Sequence, residues 1–323
     1  MIVKIFDNGW DHSLPTKQFE QNILDIFLHS SMTNQQRVVI INSVWYTDEY
    51  HNTVMDWLRQ TTVDQIILVA MLDAAIPQPS WYKEFNCEVL TVGYYSGPGA
   101  IDYWALFLDQ YYQPVEYLFD STKIDTAYMC LNRKPHWHRR RLYQQLTQAN
   151  LLDLGLVSMG GVRYLHNDDS QDNLAPNADS SEYGIGNDLV SLGNLDNWQR
   201  SFLNIVTETV YNIDRYRFVS EKIYKPIVGC RPFLVYDTNG AGNWLSSRGF
   251  QPYTRDFTDI TDLDLTNSEN LVEFLSVLTS QGPTYYQSKF VALHDKIMYN
   301  KIHFTDYICS QQTHIEKGIQ CQV

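Results

Sequence analysis

Short apolar runs alternate with amphipathic stretches through the first third of the chain. The runs are rich in Ile, Val and Leu, which is typical of strands that are buried on both faces. They lie at 2–6, 37–44, 65–72 and 87–94, and helical spacing is found at 17–29, 50–60 and 100–112. This alternation predicts a parallel sheet covered by helices, that is, a Rossmann-like domain over residues 1–120.

A second series of the same kind predicts a second Rossmann-like domain over residues 121–323. Its strand-like runs lie at 127–132, 155–160, 201–210 and 231–236, and helical spacing returns from about 268 onward. These last helices are candidates to cross back to the first domain. The expected fold is therefore α/β, with two Rossmann-like domains facing across a cleft and ligands at the carboxyl ends of the strands.

One polar segment, residues 166–197, shows no periodic pattern and is rich in Asn, Asp, Ser and Gly. A loop of this length inside a compact domain is usually functional or disordered. We interpret it as a lid or an acceptor-facing loop, with a mobile insertion as the alternative.

Composition narrows the class of protein. The 323-residue chain has a formal net charge of −13, which disfavours nucleic acid and anionic membranes as partners because both attract basic surfaces. Its five cysteines are scattered without CxxC spacing, so a disulfide framework or a cysteine zinc site is not expected.

The N-terminus lacks a signal-peptide pattern, and no apolar stretch reaches the roughly 18 residues of a membrane helix. The sequence predicts a soluble, cytoplasmic protein.

The segment SEKIYKPIVG, residues 220–229, predicts a short helix with Ser220 as its N-cap and Gly229 at its end. Four apolar residues share one face of this helix, and three charged residues fall on the opposite arc. These three are Glu221, Lys222 and Lys225. The simplest explanation is a solvated surface pair at i,i+4, and the alternative is an anion site.

A second basic cluster, LNRKPHWHRRRLYQQL at residues 131–146, follows the strand that ends at Asn132. Helical phasing places Arg139 on the apolar side, where an arginine needs an anionic partner. A phosphate and a buried carboxylate are equally good partners on this evidence. Arg140 lies one step off this side and could reach the same ligand. The HWH motif makes a weak metal site because no third ligand is visible.

The third candidate is Glu208 in NIVTETVY, residues 204–211, at the end of a strand-like run. Its carboxylate could accept hydrogen bonds from ribose or sugar hydroxyls, or could partner Arg139 or Lys222. Together the three clusters describe a site for a diphosphate joined to a hydroxyl-bearing group. Stabilising a departing nucleoside diphosphate is the main electrostatic task in sugar transfer without a metal.

A metal-dependent alternative would use the two carboxylates of a possible DxD motif, Asp262 and Asp264. We interpret them as loop or helix-cap residues. The sequence contains no P-loop, GxSxG or HExxH motif.

Three segments resemble α-1,3-fucosyltransferases and their relatives. RFVSEKIYKPIVGCRPFLVY, residues 217–236, resembles their donor-site segment. LNRKPHWHRRRLYQQL is similar to their upstream segment, where Asn and Arg follow a strand, and NIVTETVY stands where they place a strand ending in glutamate. The whole chain also resembles glycosyltransferase-like proteins of marine bacterial viruses.

The resemblance implies a GT-B architecture and an inverting, metal-independent transfer from a nucleotide-sugar donor to a hydroxyl acceptor, with no cofactor. By position, Glu221 and Lys222 would contact ribose and diphosphate. Arg139 would hold the phosphates, and Glu208 would contact the sugar or its linkage. The predicted donor-binding residues are Asn132, Arg139, Arg140, Glu208, Ser220, Glu221, Lys222 and Lys225.

Inversion requires a general base from the N-terminal half to deprotonate the acceptor hydroxyl. Asp73 and Asp7 each follow a predicted strand directly and have the best placement, although helix capping is the commoner role of such residues. The acceptor is expected to be a glycan or another hydroxyl compound. A modified nucleic-acid base is an alternative acceptor, because residues 133–141 are basic. The alternative to an enzyme is a non-catalytic nucleotide- or glycan-binding structural protein with the same fold.

Overall fold

The computed structural model describes most of the second half of the chain and separate parts of the first. The described residues are 2–6, 37–42, 48–70, 84–85, 87–93, 101–102, 120–132, 135–160, 162–163, 192, 194–208, 211, 219–236 and 241–320. Their contacts form two units. The first holds the described residues up to 107 and from Ile308 onward, and the second holds those from 120 to Tyr307. The sequence pattern predicted the boundary between the two domains at about residue 120.

The first unit is built on a parallel sheet. Its strands are β1 (Ile2–Phe6), β2 (Arg37–Asn42), β3 (Gln65–Ala70), β4 (Glu88–Gly93) and β5 (Ile101–Asp102). They pair in the order β1-β2-β3-β4-β5, with every pair parallel. Helix α1 (Asp48–Gln60) lies between β2 and β3 in the chain. Its residues Val54 and Leu58 pack with Val39 and Ile66 of the sheet, so the predicted strand–helix alternation forms a core.

One element of this unit differs from its prediction. The helical spacing at 100–112 predicted a helix, but at its start Ile101 and Asp102 pair in parallel with Val92 and Gly93 as the strand β5, and residues 103–112 lie outside the described residues. A strand edge with unpaired N–H and C=O groups favours such a pairing, and the spacing of apolar side chains along the chain does not report that edge.

The second unit contains the other parallel sheet. Its strands are β6 (Thr126–Asn132), β7 (Leu156–Met159), β8 (Ser201–Val206) and β9 (Phe233–Val235). They pair in the order β7-β6-β8-β9, again all parallel. The first strand of the unit, β6, therefore lies between β7 and β8. The chain runs outward from β6 on both sides, which makes the gap between β6 and β8 a topological switch point.

Seven helices accompany this sheet in the part of the chain that the structure describes. They are α2 (Trp137–Gln148), α3 (Leu195–Arg200), α4 (Glu221–Val228), α5 (Ala241–Ser247), α6 (Leu271–Gln281), α7 (Pro283–Ala292) and α8 (His294–Gln320). Short 3-10 helices lie at Ser121–Lys123, Leu152–Leu154 and Ser268–Asn270. Helix α8 begins in the second unit, and its residues from Ile308 group with the first.

A buried arginine holds the core of the second unit together. Arg231, which is 1% exposed, donates hydrogen bonds to the backbone carbonyls of Trp198 at 2.6 Å and Cys230 at 2.9 Å. Its guanidinium lies 4.8 Å from the centre of the Phe290 ring. These contacts join the end of α3 and the turn before β9 to α7. Burial lowers the pKa of Arg231 to about 10.

The predicted fold class, α/β with two Rossmann-like domains, is confirmed by the two parallel sheets. No helix among the described residues is both long and apolar enough to span a membrane. Asp7, Asp73 and most of the polar segment 166–197 lie outside the described residues. The end of that segment is an exception, since Leu195 already belongs to α3.

Candidate functional site

Polar side chains meet at the carboxyl ends of β6 and β8, where the strand order switches. Asn132 ends β6 and is 3% exposed, and the hydroxyl of Thr207, the first residue after β8, donates a hydrogen bond to its Oδ1. The backbone N–H of Asn132 donates to the hydroxyl of Ser158 in β7 at 3.2 Å. The ends of three neighbouring strands are therefore linked through one asparagine.

Helix α2 brings Arg139 to this point. As the helical phasing predicted, Arg139 is buried on the same side as Leu142 and Leu146. Its Nη2 donates to the backbone carbonyls of Thr207 at 3.0 Å and Glu208 at 3.2 Å. Burial lowers the pKa of Arg139, and the negative charges of Glu208 and Glu221 oppose that change. The arginine thus contacts the end of β8 directly and lies within electrostatic reach of two carboxylates.

Helix α4 approaches the same strand end with its N-terminus. Ser220 is its N-cap, and Gly229 follows its last residue, as predicted. The backbone N–H of Ser220 donates to Oε1 of Glu208 at 3.1 Å, and its hydroxyl donates to Oε2 at 2.5 Å. The same hydroxyl oxygen accepts from the N–H of Lys222 at 3.4 Å. Ser220 therefore caps the helix and holds the carboxylate of Glu208.

The placement of Glu221 corrects a prediction. Glu221 is 2% exposed, whereas helical phasing placed it on the solvent arc with Lys222 and Lys225. It pairs with Nζ of the adjacent Lys222 at 2.5 Å, so a solvated surface pair does not describe it. The first turn of α4 packs against the end of β8, which buries its polar side as well as its apolar face.

The four apolar residues predicted to share the other face are all buried. They are Ile223, Tyr224, Ile227 and Val228. The side chain of Lys222 is 31% exposed, so its ammonium lies at the boundary between this core and solvent.

Glu208 is the centre of the cluster. It lies two residues beyond the last residue of β8 and is 2% exposed. Burial raises the pKa of its carboxyl to about 7, although the charge of Lys222 and the hydrogen bonds from Ser220 oppose the rise. The carboxyl therefore changes protonation near neutral pH and can act as a hydrogen-bond donor or acceptor.

A fourth contact to this strand end comes from His138, which the sequence did not single out beyond the HWH motif. His138 is 1% exposed, and its Nε2 lies 2.9 Å from the backbone carbonyl of Glu208. Its ring stacks on Tyr211, with 5.2 Å between ring centres. Burial lowers the pKa of His138 to about 4. The sequence feature that could have identified His138 is its position beside Arg139, at the start of a helix that follows a strand.

The remaining predicted residues are less buried than those of this cluster. Arg140 is exposed on α2, and Lys225 is half-buried in the last turn of α4. Asp264 is exposed and accepts hydrogen bonds from Thr266, with 3.0 Å to its N–H, so it stabilises a turn. Asp262 is exposed as well. No group of three or more metal-ligating side chains is found among the described residues.

A separate groove lies beside β9. Its volume is about 600 Å³, and its lining includes Phe250, Tyr253, Arg255 and Lys296. None of the predicted donor-binding residues belongs to its described lining. The groove and the cluster around Glu208 are therefore distinct features of the second unit.

Neither a scan against protein-family models nor a search of curated proteins finds a match to this sequence. Among solved structures, the chain is similar to the crystal structure of an α1,3-fucosyltransferase with GDP. The two chains superpose with a TM-score of 0.42 at 10% sequence identity, over 89% of this chain and 93% of the other.

Proposed function

We propose that this protein is a glycosyltransferase that moves a sugar from a nucleotide-sugar donor to a hydroxyl acceptor. One observation carries the proposal. The side-chain carboxylate of Glu208, which follows β8, accepts a hydrogen bond from Ser220 at the start of α4. The backbone carbonyl of Glu208 accepts a hydrogen bond from Arg139 of α2. Both contacts lie at the topological switch point of the sheet. Open α/β sheets bind nucleotides in the crevice at such a point, outside the carboxyl ends of the strands.

The start of α4 suits a diphosphate. Its backbone N–H groups and its dipole favour an anion, and Lys222 adds a positive charge at the edge of the core. This charge is paired with Glu221, and a bound diphosphate would compete for it. Arg139 of α2 contributes a second positive charge that interacts with Glu208.

The protonation of Glu208 decides the net charge of this cluster. Arg139 and Lys222 carry two positive charges and Glu221 one negative charge, so the net charge is +1 when Glu208 is protonated and zero when it is ionised. Because the pKa of Glu208 is about 7, the cluster gains its positive charge as the pH falls through neutrality. A diphosphate should therefore bind more tightly below pH 7 than above it.

The reaction we propose is a single displacement. The acceptor oxygen forms a bond to the anomeric carbon, the bond from that carbon to the diphosphate oxygen breaks, and the hydroxyl proton passes to a carboxylate. Asp73 and Asp7 are the candidates for that base. Lys222 and the N-terminus of α4 stabilise the charge on the departing nucleoside diphosphate, which needs no metal in this scheme. In this scheme we assign the binding of ribose or sugar hydroxyls to Glu221 and Glu208.

The resemblance in sequence supports the same assignment. The segments that resemble α-1,3-fucosyltransferases, residues 131–146, 204–211 and 217–236, contain Asn132, Glu208 and Ser220, and these residues take part in the contacts at the switch point. A local sequence likeness over separated segments is informative when those segments come together in space.

The proposal is tested by titrating nucleoside diphosphates into the protein and by measuring hydrolysis of the corresponding nucleotide sugars. We expect one nucleoside diphosphate to raise the melting temperature by mass action and one donor to be hydrolysed slowly. Binding without hydrolysis or transfer would favour a non-catalytic binding protein. Loss of turnover in chelator would favour the metal-dependent alternative at Asp262 and Asp264.

A further inference from the structure

We propose that His138 is a positioning residue that holds Glu208 in the geometry the donor site requires. This inference rests on the proposed function. His138 touches the backbone of Glu208 and not its carboxylate, so it acts through Glu208. Neither the motifs nor the resemblance assigns this role to it.

The carbonyl of Glu208 has two donors from the same helix turn. The ring Nε2 of His138 lies 2.9 Å from this oxygen, and Nη2 of Arg139 lies 3.2 Å from it. The two side chains come from adjacent residues in the first turn of α2. One carbonyl oxygen has two lone pairs and can accept both bonds.

The tautomer of His138 follows from its partner. A carbonyl oxygen only accepts, so the nitrogen that faces it carries the proton. Burial lowers the pKa of His138 to about 4, with Arg139 and His136 acting in the same direction, and outweighs the hydrogen bond to Glu208, which acts in the opposite direction. The ring is therefore neutral at physiological pH, with its proton on Nε2, and the bond to Glu208 does not vary with pH in that range.

The ring is held in place by aromatic neighbours. It stacks on Tyr211 at 5.2 Å and on His136 at 6.0 Å, and the planes in each pair are nearly parallel. Tyr211 is itself buried and lies three residues beyond Glu208. The stack fixes the direction of the N–H bond, so the carbonyl of Glu208 is bound to a rigid group.

Glu208 depends on such contacts because it lies outside the sheet. The strand β8 ends at Val206, so no strand neighbour fixes the peptide of Glu208. Its carbonyl is held from α2, and its carboxylate is held by Ser220 from α4. If the bond from His138 is lost, the carbonyl of Glu208 keeps only the longer bond from Arg139, so the peptide is held less firmly and the carboxylate can shift relative to Lys222. A misplacement of about 1 Å can cost 100-fold in rate.

The test compares two substitutions with a matched control. His138→Phe keeps an aromatic ring on Tyr211 and removes the N–H group. His138→Gln replaces the ring by an amide that reaches the same oxygen. The control is His303→Phe, because His303 also places Nε2 near a backbone carbonyl, that of Arg248 at 2.7 Å, and also stacks on a tyrosine.

We expect His138→Phe to lower kcat for the donor by about 10- to 100-fold. We also expect it to shift the pH midpoint of nucleoside diphosphate binding that the proposed function attributes to Glu208, because a displaced carboxyl is at other distances from the charges that face it, those of Lys222, Glu221 and Arg139. His138→Gln restores most of the activity, and His303→Phe changes stability without changing the pH profile. If the Phe variant does not fold, His138→Asn against His138→Gln makes the same comparison, because the shorter amide does not reach the carbonyl.

Two outcomes overturn the inference in different ways. Wild-type kcat and pH midpoint in folded His138→Phe would show that His138 only packs, while the proposed function stands. Failure of the wild-type protein to bind any nucleoside diphosphate would reject the proposed function and this inference with it.

Discussion

The backbone N–H and the hydroxyl of Ser220 both donate to the carboxylate of Glu208, at 3.1 Å and 2.5 Å. The residue that caps α4 therefore also fixes the carboxylate that follows β8. The start of a helix and the end of a strand are joined at the switch point by side-chain and backbone donors. The charge of the Glu208 carboxyl group contributes to the net charge of the proposed donor site.

Ser220→Ala removes the cap of α4 and one donor to a buried carboxylate. We expect a loss of about 1–3 kcal/mol in the free energy of unfolding, measured by urea denaturation. The pKa of Glu208 should also rise, because the hydrogen bond from the hydroxyl lowers it in the wild-type protein. Ser220→Thr keeps the hydroxyl and is the matched control. Equal stability of the Ala and wild-type proteins would contradict the double role of Ser220.

Glu208→Gln should remove a pH dependence of stability. The folded protein keeps the Glu208 proton up to a pKa of about 7, whereas the unfolded chain releases it near the ordinary value of 4.5. Between these values unfolding releases a proton, so wild-type stability falls as the pH rises, by at most about 1.4 kcal/mol per pH unit. The amide does not titrate.

The difference in unfolding free energy between wild type and Glu208→Gln, followed from pH 4 to 8, isolates this contribution. We expect the wild-type protein to lose stability relative to the variant through that range. A difference that is independent of pH would show that folding leaves the pKa of Glu208 near its ordinary value, and one of the opposite sign would show that folding lowers this pKa.

Lys222→Ala should abolish measurable binding of the nucleoside diphosphate. It also leaves the carboxylate of Glu221 buried without the ammonium beside it, which lowers stability. Adding Glu221→Gln should restore stability and leave binding absent. Lys289→Ala is the control, because Lys289 forms a comparable 2.6 Å ion pair with Asp259 away from the site. Retained binding in Lys222→Ala would remove this lysine from the donor site.

Arg231→Met tests an arginine whose role is structural. The substitution leaves the carbonyls of Trp198 and Cys230 without the donors they have in the core. Since each buried group that loses its donor costs about 1–3 kcal/mol, we expect a loss of at least about 2 kcal/mol in unfolding free energy. Binding of the nucleoside diphosphate, measured where the variant is folded, should match wild type. Weaker binding with unchanged stability would reverse this assignment.

Local patterns in the sequence predicted those parts of the fold that depend on neighbouring residues. Apolar runs marked the described strands with the exception of β5, and Ser220 and Gly229 marked the ends of α4. The phasing of α2 turned Arg139 towards the apolar side. Each of these features follows from a periodicity or a cap that a few consecutive residues determine.

The contacts that the sequence did not predict are hydrogen bonds from side chains to the backbone carbonyls of residues far away in the sequence. His138, Arg139 and Arg231 all donate to carbonyl oxygens, and His138 and its acceptor residue are 70 positions apart. Every residue has a carbonyl, so such a contact leaves no pattern at the acceptor. The burial of Glu221 has a similar origin, because it depends on the end of β8 packing over the first turn of α4.

A crystal structure with the tightest-binding nucleoside diphosphate, at a pH slightly below 7, tests the central claim most directly. We predict the diphosphate at the N-terminus of α4, with its oxygens within hydrogen-bonding distance of Nζ of Lys222 and close to Glu208. An ordered nucleotide in the groove lined by Phe250 and Tyr253, with Lys222 still paired to Glu221, would contradict the account.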